Sequence, residues 1–394
     1  MDPVRNPYAP GAGNPPPELA GRSDLISEAQ TILQRIALGR PAQSLILIGL
    51  RGVGKTVLLN RIREMAEQDE RFLSIQAEAH EGKTLAELLV PGLRQTLYRL
   101  SLIEKAKEKA RRGLRVLKSF VNGMKLKISE LDIELSMSPE FGVADTGNIE
   151  NDLPALVAAI GEAAKSDGRP VLILLDELQY LDTDEFSALI MAMHLVSQKS
   201  LPVLLIGAGL PQILGLAGNS KSYAERLFRY PRIGALDETD AMTAISNPAK
   251  GEGISIEDSA IQEILSVTKR YPYFLQQWGY ESWNLAQGET ITQADVRAAT
   301  PRAIKALDES FFRVRFERCT PGEKRYMRAL AEFGDGQHRS GDVADKLGVK
   351  VNSVAPTRSN LIKKGMIYSP SHGDTAFTVP LFHEYMKRAM PGID

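Results

Sequence analysis

Residues 44–56 read Ser-Leu-Ile-Leu-Ile-Gly-Leu-Arg-Gly-Val-Gly-Lys-Thr. The first five form a short apolar run that predicts a strand buried on both faces. The last eight match the pattern G-x-x-x-x-G-K-T, whose glycines let backbone amides turn toward phosphate oxygens. Because apolar residues with helical spacing follow in residues 57–67, the stretch predicts a phosphate-binding loop between a strand and a helix.

The residues of this loop have distinct predicted roles. Lys55 is expected to reach the β- and γ-phosphates of a nucleotide, and Thr56 to hold Mg²⁺. ATP with Mg²⁺ is therefore the expected ligand. The loop residues predicted to bind it are Gly49, Gly52, Gly54, Lys55, Thr56 and Val57.

A second apolar run, residues 171–175, ends in the adjacent acids Asp176 and Glu177. Beside a phosphate loop, Asp176 is expected to hold the Mg²⁺ shell, and Glu177 to orient or deprotonate the attacking water. Such a pair also occurs as a plain helix cap, but the phosphate loop favours the catalytic interpretation. A glutamate in this place indicates hydrolysis rather than kinase-type transfer.

Two further apolar runs, residues 201–206 and 72–76, predict a third and a fourth strand. Strands that alternate with helices indicate an α/β fold with a parallel sheet. Ligands of such sheets bind at the carboxyl ends of the strands, where Thr56, the Asp176–Glu177 pair and Gly207 are expected to meet.

The bulk composition is that of an ordinary globular protein. The chain has 394 residues, 43% hydrophobic and 25% charged, and this length predicts two or three domains. Because 48 basic residues face 49 acidic ones, the net charge of −1 gives no whole-molecule attraction to nucleic acid or to an anionic membrane. Any such binding has to come from a local patch.

Three features bear on the environment of the protein. Cys319 is the only cysteine, which excludes an internal disulfide and fits a reducing cytoplasm. Residues 1–17 carry six prolines and no apolar core, so an extended arm is expected rather than a secretory signal. Prolines and glycines interrupt the longest uncharged stretch, residues 201–218, so no membrane contact is expected.

The segment between the second strand and Asp176 is unusually long. Residues 105–118 contain seven basic residues and one acid, Glu108, which makes a local positive patch. Residues 124–137 then alternate apolar and polar side chains, which predicts a hairpin with one apolar face. The basic helix is expected either to contact nucleic acid or an acidic partner, or to be a solvated helix face.

The C-terminal third is predicted to be helical from Leu236 to about Arg318. From Pro321 onward, three helices and two short strands predict a winged helix-turn-helix. Pro356 lies inside the third helix, which allows a later start near Thr357. The domain is expected to bind double-stranded DNA or to dock a protein partner. The candidate nucleic-acid contacts are Asn352, Arg358, Lys363 and Lys364.

Four other segments carry a family resemblance. They are residues 19–22 (Leu-Ala-Gly-Arg), 207–211 (Gly-Ala-Gly-Leu-Pro), 222–228 (Ser-Tyr-Ala-Glu-Arg-Leu-Phe) and 268–273 (Thr-Lys-Arg-Tyr-Pro-Tyr). With the phosphate loop, they resemble the AAA+ ATPases, in the branch shared by origin-recognition initiators and STAND signalling ATPases. The first segment is similar to the adenine-side motif and the last to the motif of a helical lid.

The resemblance implies further site residues. Arg22 and Pro272 would lie at the nucleotide, and Arg226 would be the arginine finger that a neighbouring subunit supplies, with Arg229 or Arg232 as alternatives. A homo-oligomer formed with ATP is therefore implied.

The sequence departs from the family in two places. Residues 207–209 offer no polar side chain to position water, which implies slow hydrolysis. Initiator-type ATPases often carry an arginine in the lid helix that touches the γ-phosphate. Residues 271–273 (Tyr-Pro-Tyr) instead resemble the glycine-x-proline motif of STAND proteins, with Arg270 where glycine is expected, so the resemblance leaves sensing of the γ-phosphate by the lid open.

Taken together, the sequence predicts four parts: a proline-rich arm (1–18), a nucleotide-binding AAA+ core (19–235, with an insertion at about 101–150), a helical lid (236–318) and a winged helix-turn-helix (319–394). The predicted function is an ATP-hydrolysing molecular switch that oligomerises and couples nucleotide state to DNA binding. The alternative is a weakly hydrolysing, nucleotide-gated scaffold whose winged helix docks a protein partner.

Overall fold

The computed structural model describes residues 1–11, 16–17, 19–127, 138–220, 224–371 and 373–393. At its centre is a parallel sheet with the strand order β2-β3-β4-β1-β5, in which β6 also pairs with β1. The strands are β1 (Ser44–Gly49), β2 (Leu73–Glu78), β3 (Val171–Asp176), β4 (Val203–Gly209), β5 (Phe228–Arg229) and β6 (Arg232–Ile233). The four predicted strands and the predicted α/β class are confirmed.

Helices cover both faces of this sheet. They are α1 (Ser23–Ala37), α2 (Lys55–Glu67), α3 (Leu85–Ser101), α4 (Lys107–Gly123), α5 (Ile149–Asp167), α6 (Thr183–Gln198), α7 (Ile213–Ser220) and α8 (Ala224–Leu227). Successive side chains of a strand point to opposite faces. Leu45 and Leu47 therefore pack with α1 and α2, whereas Ile46 and Ile48 pack with the cluster that includes α3 to α6.

The basic segment belongs to the core. Helix α4 packs between α3 and α5, and its apolar side, including Leu117 and Phe120, is buried. Arg112 and Arg115 both form ion pairs with Glu140, so part of the positive charge is neutralised within the chain. Most of the predicted hairpin, residues 128–137, lies outside the described residues.

Four helices follow the sheet: α9 (Glu238–Gly251), α10 (Asp258–Thr268), α11 (Pro272–Leu285) and α12 (Gln293–Ala306). Two short parallel strands, β7 (Ser255–Ile256) and β8 (Thr290–Ile291), join the ends of this bundle. A π-helical segment, Leu307–Phe312, continues α12 directly into the short helix α13 (Arg313–Glu317). The predicted helical character of this region is confirmed.

The last part of the chain combines helices with a small antiparallel sheet of order β10-β11-β9. Its elements are α14 (Pro321–Ala331), β9 (His338–Arg339), α15 (Ser340–Lys346), α16 (Val351–Lys363), β10 (Ile367–Tyr368), β11 (Asp374–Phe377) and α17 (Phe382–Ala389). The expectation of a helix start near Thr357 is wrong, since α16 begins at Val351 and contains Pro356. Pro356 removes only the hydrogen bond to the Asn352 carbonyl, near the start of the helix.

The N-terminal residues pack onto the bundle formed by α9 to α12. Tyr8 is 2% exposed, and its hydroxyl donates to the Ile245 carbonyl. The indole N–H of Trp283 donates to the Asp2 carbonyl at 2.9 Å. At Gly279, a Cβ atom would lie 2.6 Å from the Tyr8 ring, so only glycine admits this contact. The first residues of the predicted arm therefore have their partners within the chain.

No helix among the described residues has the length and apolar character needed to cross a membrane.

Candidate functional site

The phosphate-binding loop lies between β1 and α2, as predicted. Gly52 and Gly54 have φ angles of +81° and +90°, which glycine adopts without strain. The buried ammonium of Lys55 donates to the Leu50 carbonyl at 2.9 Å, across the mouth of the loop. Burial lowers the pKa of Lys55, while Glu177 and Asp176 act in the opposite direction. The cation is thus held at the loop beside both predicted acids.

Asp176 ends strand β3 and contacts the loop directly. The Thr56 hydroxyl donates to Asp176 Oδ2 at 2.6 Å. Burial raises the pKa of Asp176, and Glu78, its register partner on β2, has a raised pKa for the same reason. A hydroxyl and a carboxylate this close are the oxygen ligands that Mg²⁺ prefers.

Glu177 stands one residue beyond β3 in a left-handed backbone conformation, with φ at 54°. A non-glycine residue held there stores strain, which often marks a functional position. Its carboxylate oxygens have separate partners: Oε1 lies 3.3 Å from Nη1 of Arg51, and Oε2 accepts from the Gln179 side chain. Arg51 also donates to the Tyr180 hydroxyl at 3.1 Å.

Gln179 links Glu177 to the neighbouring strand β4. Its side-chain oxygen accepts from the Leu210 backbone N–H at 3.0 Å, so its amide group is fixed while it donates to Glu177. The glycines of β4 make room for this arrangement. A Cβ atom on Gly207 would lie 2.4 Å from Leu178, and one on Gly209 would lie 2.7 Å from the Gln179 oxygen. Gln179 thus places a side-chain amide beside the end of β4, where residues 207–209 carry no polar side chain.

The helical region closes against the loop at the start of α11. Pro272 is the first residue of α11, and the N–H of Tyr273 donates to the Gly52 carbonyl at 3.2 Å. Arg270 has a φ of 60°, a conformation that favours glycine. The arginine thus adopts the backbone geometry of the glycine that the family resemblance implies there.

Arg22 lies on the other side of the loop. Its guanidinium donates to the Val53 carbonyl at 3.3 Å and to the Gly234 carbonyl at 2.7 Å. Burial lowers its pKa, and Asp240 opposes that shift. Arg22 therefore connects the phosphate loop to the segment that follows β6.

The C-terminal domain also contacts the phosphate loop, which the sequence did not indicate. The Arg51 N–H donates to the Thr378 carbonyl at 3.0 Å, just after β11. A Cβ atom on Gly365 would lie 3.0 Å from Nη2 of Arg51. Nearby, Arg318 forms an ion pair with Glu81 at 3.4 Å.

Of the three candidate finger arginines, Arg226 and Arg229 lie at the amino edge of the sheet, whereas Arg232 is in register with Ile48 of β1, directly before the phosphate loop. The carbonyl of Arg226 accepts from the Gln43 side chain at 2.7 Å, immediately before β1 begins. Arg226 is exposed at the amino edge of the sheet, opposite the phosphate loop of its own chain. Arg229 is paired with Glu28, and Arg232 is exposed. Residues 221–223 of the finger region lie outside the described residues.

The four nucleic-acid candidates differ in their surroundings. Arg358 donates to Thr375, Ser369 and the Asp374 carbonyl, which fixes it within the C-terminal domain. Lys364 donates to Glu323 at 2.7 Å and to the Arg318 carbonyl at 3.0 Å. Asn352 and Lys363 are exposed on α16.

Sequence reasoning missed Arg51, Gln179, Tyr180 and Tyr273. Arg51 and Gln179 occupy positions that the two motifs leave open, so the motifs assign them no role. A charged side chain inside the loop and an amide two residues beyond Glu177 were the available signals.

Comparisons with known proteins agree with this geometry. Residues 18–206 match the family model described as AAA ATPase domain, and residues 309–386 match a domain of unknown function, DUF8462. No curated protein matches the chain. The Walker-type ATPase PABY2304 of Pyrococcus abyssi has a TM-score of 0.54 at 13% identity, covering 94% of this chain and 96% of its own.

The ORC1 protein of Aeropyrum pernix, solved in complex with DNA, has a TM-score of 0.50 at 13% identity, covering 98% of this chain and 96% of its own. At such identities the similarity concerns the fold alone. The fold is that of the P-loop AAA+ ATPases. The stretch that matches the AAA ATPase domain model, residues 18–206, contains both predicted motifs.

Proposed function

We propose that the protein binds ATP with Mg²⁺ at the phosphate loop and hydrolyses it, acting as a nucleotide-dependent switch. The observation that supports this proposal most directly is the 2.6 Å hydrogen bond between Thr56 and Asp176, with Lys55 and Glu177 beside it. These groups supply a phosphate cradle, metal ligands and a base in one place.

Each residue has a defined task in this proposal. Lys55 neutralises charge on the β- and γ-phosphates, and Thr56 and Asp176 hold the metal. Mg²⁺, when bound, stabilises negative charge on the phosphate oxygens. Glu177 accepts a proton from the attacking water, and Gln179 sets the direction of its carboxylate. Among the described residues, no cluster of three or more His, Cys, Asp or Glu forms a metal site, so phosphate and water oxygens would complete the shell.

The domain assignment is part of the proposal. Residues 1–18 are an arm, 19–235 the nucleotide-binding core, 236–318 a lid and 319–394 a winged helix-turn-helix. The order of α14, α15, α16 and the three-stranded sheet supports the last assignment. The DNA complex of the Aeropyrum protein motivates a test with DNA. Asn352 and Lys363 are the exposed candidates for such a contact.

Oligomer formation with ATP is also part of the proposal. Arg226 lies at the edge of the sheet opposite its own phosphate loop, so a finger role for it requires the nucleotide of another copy. Gel filtration with ATP, with ADP and without nucleotide tests this step. A monomer under all three conditions would exclude an arginine finger in the isolated protein.

A specific observation favours a second candidate function. Both carboxylate oxygens of Glu177 already have partners, and the C-terminal domain contacts the loop residue that provides one of them. A protein held in this arrangement would bind ATP and hydrolyse it slowly. It would then serve as a nucleotide-gated scaffold that docks a protein partner.

Steady-state ATP hydrolysis with and without duplex DNA separates the two functions, with Glu177→Gln as the blank. Stimulation by DNA that is absent from Glu177→Gln supports the DNA-coupled ATPase. A rate that DNA leaves unchanged, or one no higher than the blank, supports the scaffold. Failure of the wild-type protein to bind either ATP or ADP in the presence of Mg²⁺ would exclude both.

A further inference from the structure

A cavity lies at the amino edge of the central sheet, opposite the phosphate loop. Its volume is about 330 Å³, at the lower end of the range of small-molecule pockets, about 300–1,000 Å³. Its walls come from the ends of α1, α5 and α6 and from the segments that lead into β1 and β4. No residue of the phosphate loop or of the Asp176–Glu177 pair lines this amino-edge cavity, so it is separate from the proposed nucleotide site.

The floor of the amino-edge cavity is apolar. It includes Met193 and Val196 on α6, Ile36 on α1 and Leu201 before β4, all of which are buried. A ligand that covers these side chains with an apolar group removes both surfaces from water, which favours binding. The floor is therefore suited to the apolar body of a ligand.

The charged residues of the cavity all have the same sign. Arg40, Lys165 and Arg226 line it, and no acid is among the lining residues that the structure describes. The three side chains are exposed, and none forms an ion pair within the described part of the chain. Lys199, at the end of α6, by contrast pairs with Glu162 at 3.6 Å and does not line the cavity. Unpaired cations around an apolar floor favour a negatively charged ligand with an apolar body.

Hydrogen bonds hold the cavity wall that precedes β1. The Arg35 guanidinium donates to the Pro41 carbonyl at 3.0 and 3.2 Å. The Gln43 side chain donates to the Arg226 carbonyl at 2.7 Å, which fixes the backbone of one of the three basic residues. Because this wall is already ordered, a ligand binds with little loss of chain entropy.

We propose that the amino-edge cavity binds a small amphipathic anion. The apolar body of the ligand lies on the floor, and its negative group, a carboxylate, sulfonate or phosphate, lies against Arg40, Lys165 and Arg226. Both parts are needed, because inorganic phosphate alone does not cover the floor and a neutral apolar molecule does not use the cations. This site does not depend on the proposed nucleotide function.

Fluorescence titration of the full-length protein with anilinonaphthalene sulfonate, which has an aromatic body and one sulfonate, tests the charge requirement. The double variant Arg40→Gln/Lys165→Gln should weaken probe binding about 5- to 30-fold. Lys199→Gln, which removes a cation outside the lining, should change it less than about twofold. Decanoate should displace the probe at a lower concentration than decylamine, whose charge is positive. Equal dissociation constants in the wild type and the double variant would overturn the inference.

A second pair of variants tests the location without altering charge. Ser197→Trp fills the cavity from an exposed position on α6 and should abolish probe binding, whereas Gln198→Trp, one residue further and outside the lining, should retain it. Retention of the probe in Ser197→Trp would exclude this cavity. Saturating ATP with Mg²⁺ should leave probe binding unchanged, and displacement of the probe by ATP would also overturn the inference. Failure of the protein to bind ATP would disprove the proposed function and leave this site intact.

Discussion

The backbone N–H of Arg51 donates to the carbonyl oxygen of Thr378 at 3.0 Å, which joins the phosphate loop to the C-terminal domain. Arg51 also pairs with Glu177 through its side chain, and both side chains are 17% exposed. One residue of the loop is thus in contact with the proposed base and with the distant domain. A change in domain position should therefore alter the environment of Glu177.

Gly365→Ala tests this connection. The new Cβ would lie 3.0 Å from Nη2 of Arg51 and should displace the guanidinium from Glu177. Because an ion pair of this kind is worth up to about 1 kcal/mol, the basal rate of ATP hydrolysis should rise about two- to fivefold.

Gly348→Ala is the matched control for Gly365→Ala. Gly348 has a φ of +67°, close to the +64° of Gly365, and a Cβ atom placed on Gly348 would meet nothing within 4 Å beyond its neighbours in the chain. Both variants should lose about 1–2 kcal/mol of stability from the left-handed backbone. Equal hydrolysis rates in the two variants would show that the domain contact does not act on Glu177.

Gln179→Ala removes the amide that orients Glu177. Since Leu210 fixes the Gln179 side chain, the loss should lower kcat about 10- to 100-fold and leave KM nearly unchanged. Gln198→Ala, at the exposed end of α6, is the control. A normal kcat in Gln179→Ala would mean that other groups orient the carboxylate.

The strands of the sheet and the two motifs could be predicted because each is encoded by a continuous stretch of sequence. Lys55 follows glycines, and Asp176 ends an apolar run, so local pattern alone places them at the carboxyl edge of a parallel sheet. The two-residue strand β9 gave no such signal, since it is too short to show alternation.

Local sequence patterns could not predict contacts between segments that lie far apart in the sequence. The glycine at position 207 was interpreted as a missing polar group. In the structure, Leu178 fills the space beside Gly207, and the Gln179 side chain is bonded to Leu210 just beyond β4. Arg358 and Lys364 were expected to face DNA because of their charge, but their partners come from segments far away in the sequence. Charge alone does not distinguish an exposed cation from one that is paired on folding.

Cys319 offers a chemical probe of the junction between α13 and α14. It is the only cysteine, it is 6% exposed, and burial raises the pKa of its thiol to about 11. An unfolded chain has a thiol pKa of about 8.5, so at pH 8 the thiolate fraction of the folded protein should be about 200-fold smaller. Reaction with a thiol reagent should be slower by at least that factor than in denaturant.

The pH dependence of this reaction gives a second check. Between about pH 8 and pH 10, the rate for the folded protein should rise about tenfold per pH unit, because the thiolate fraction is still small. The rate for the unfolded chain should level off above about pH 8.5. Equal rates in folded and denatured protein would show that Cys319 is accessible and that the junction is open.

The Lys364→Met variant tests whether Lys364 stabilises the fold rather than binding DNA. The ammonium of Lys364 lies 2.7 Å from Glu323, whose side chain is 4% exposed. Burial is the largest single influence and would raise the pKa of Glu323, but the hydrogen bonds from Lys364 and Thr320 and the charge of Lys364 together outweigh it, and the pKa is lowered. Removing the lysine leaves a buried carboxylate unpaired and should cost about 3 kcal/mol of unfolding free energy at pH 7.

The contribution of Glu323 to the free energy of unfolding should change with pH in opposite directions in the wild-type protein and in Lys364→Met. A lowered carboxyl pKa contributes stability above the unfolded value of about 4.3, and this contribution is lost as pH falls through the folded pKa. In Lys364→Met the unpaired Glu323 should instead gain stability on protonation, so the difference between variant and wild type should shrink as pH falls from 7 toward 4.

Lys363→Met, on the exposed side of α16, should leave stability within about 0.5 kcal/mol while weakening any DNA binding. Chemical denaturation at several pH values measures the first effect, and DNA titration the second. Equal stability of the two variants at pH 7 would contradict a structural role for Lys364.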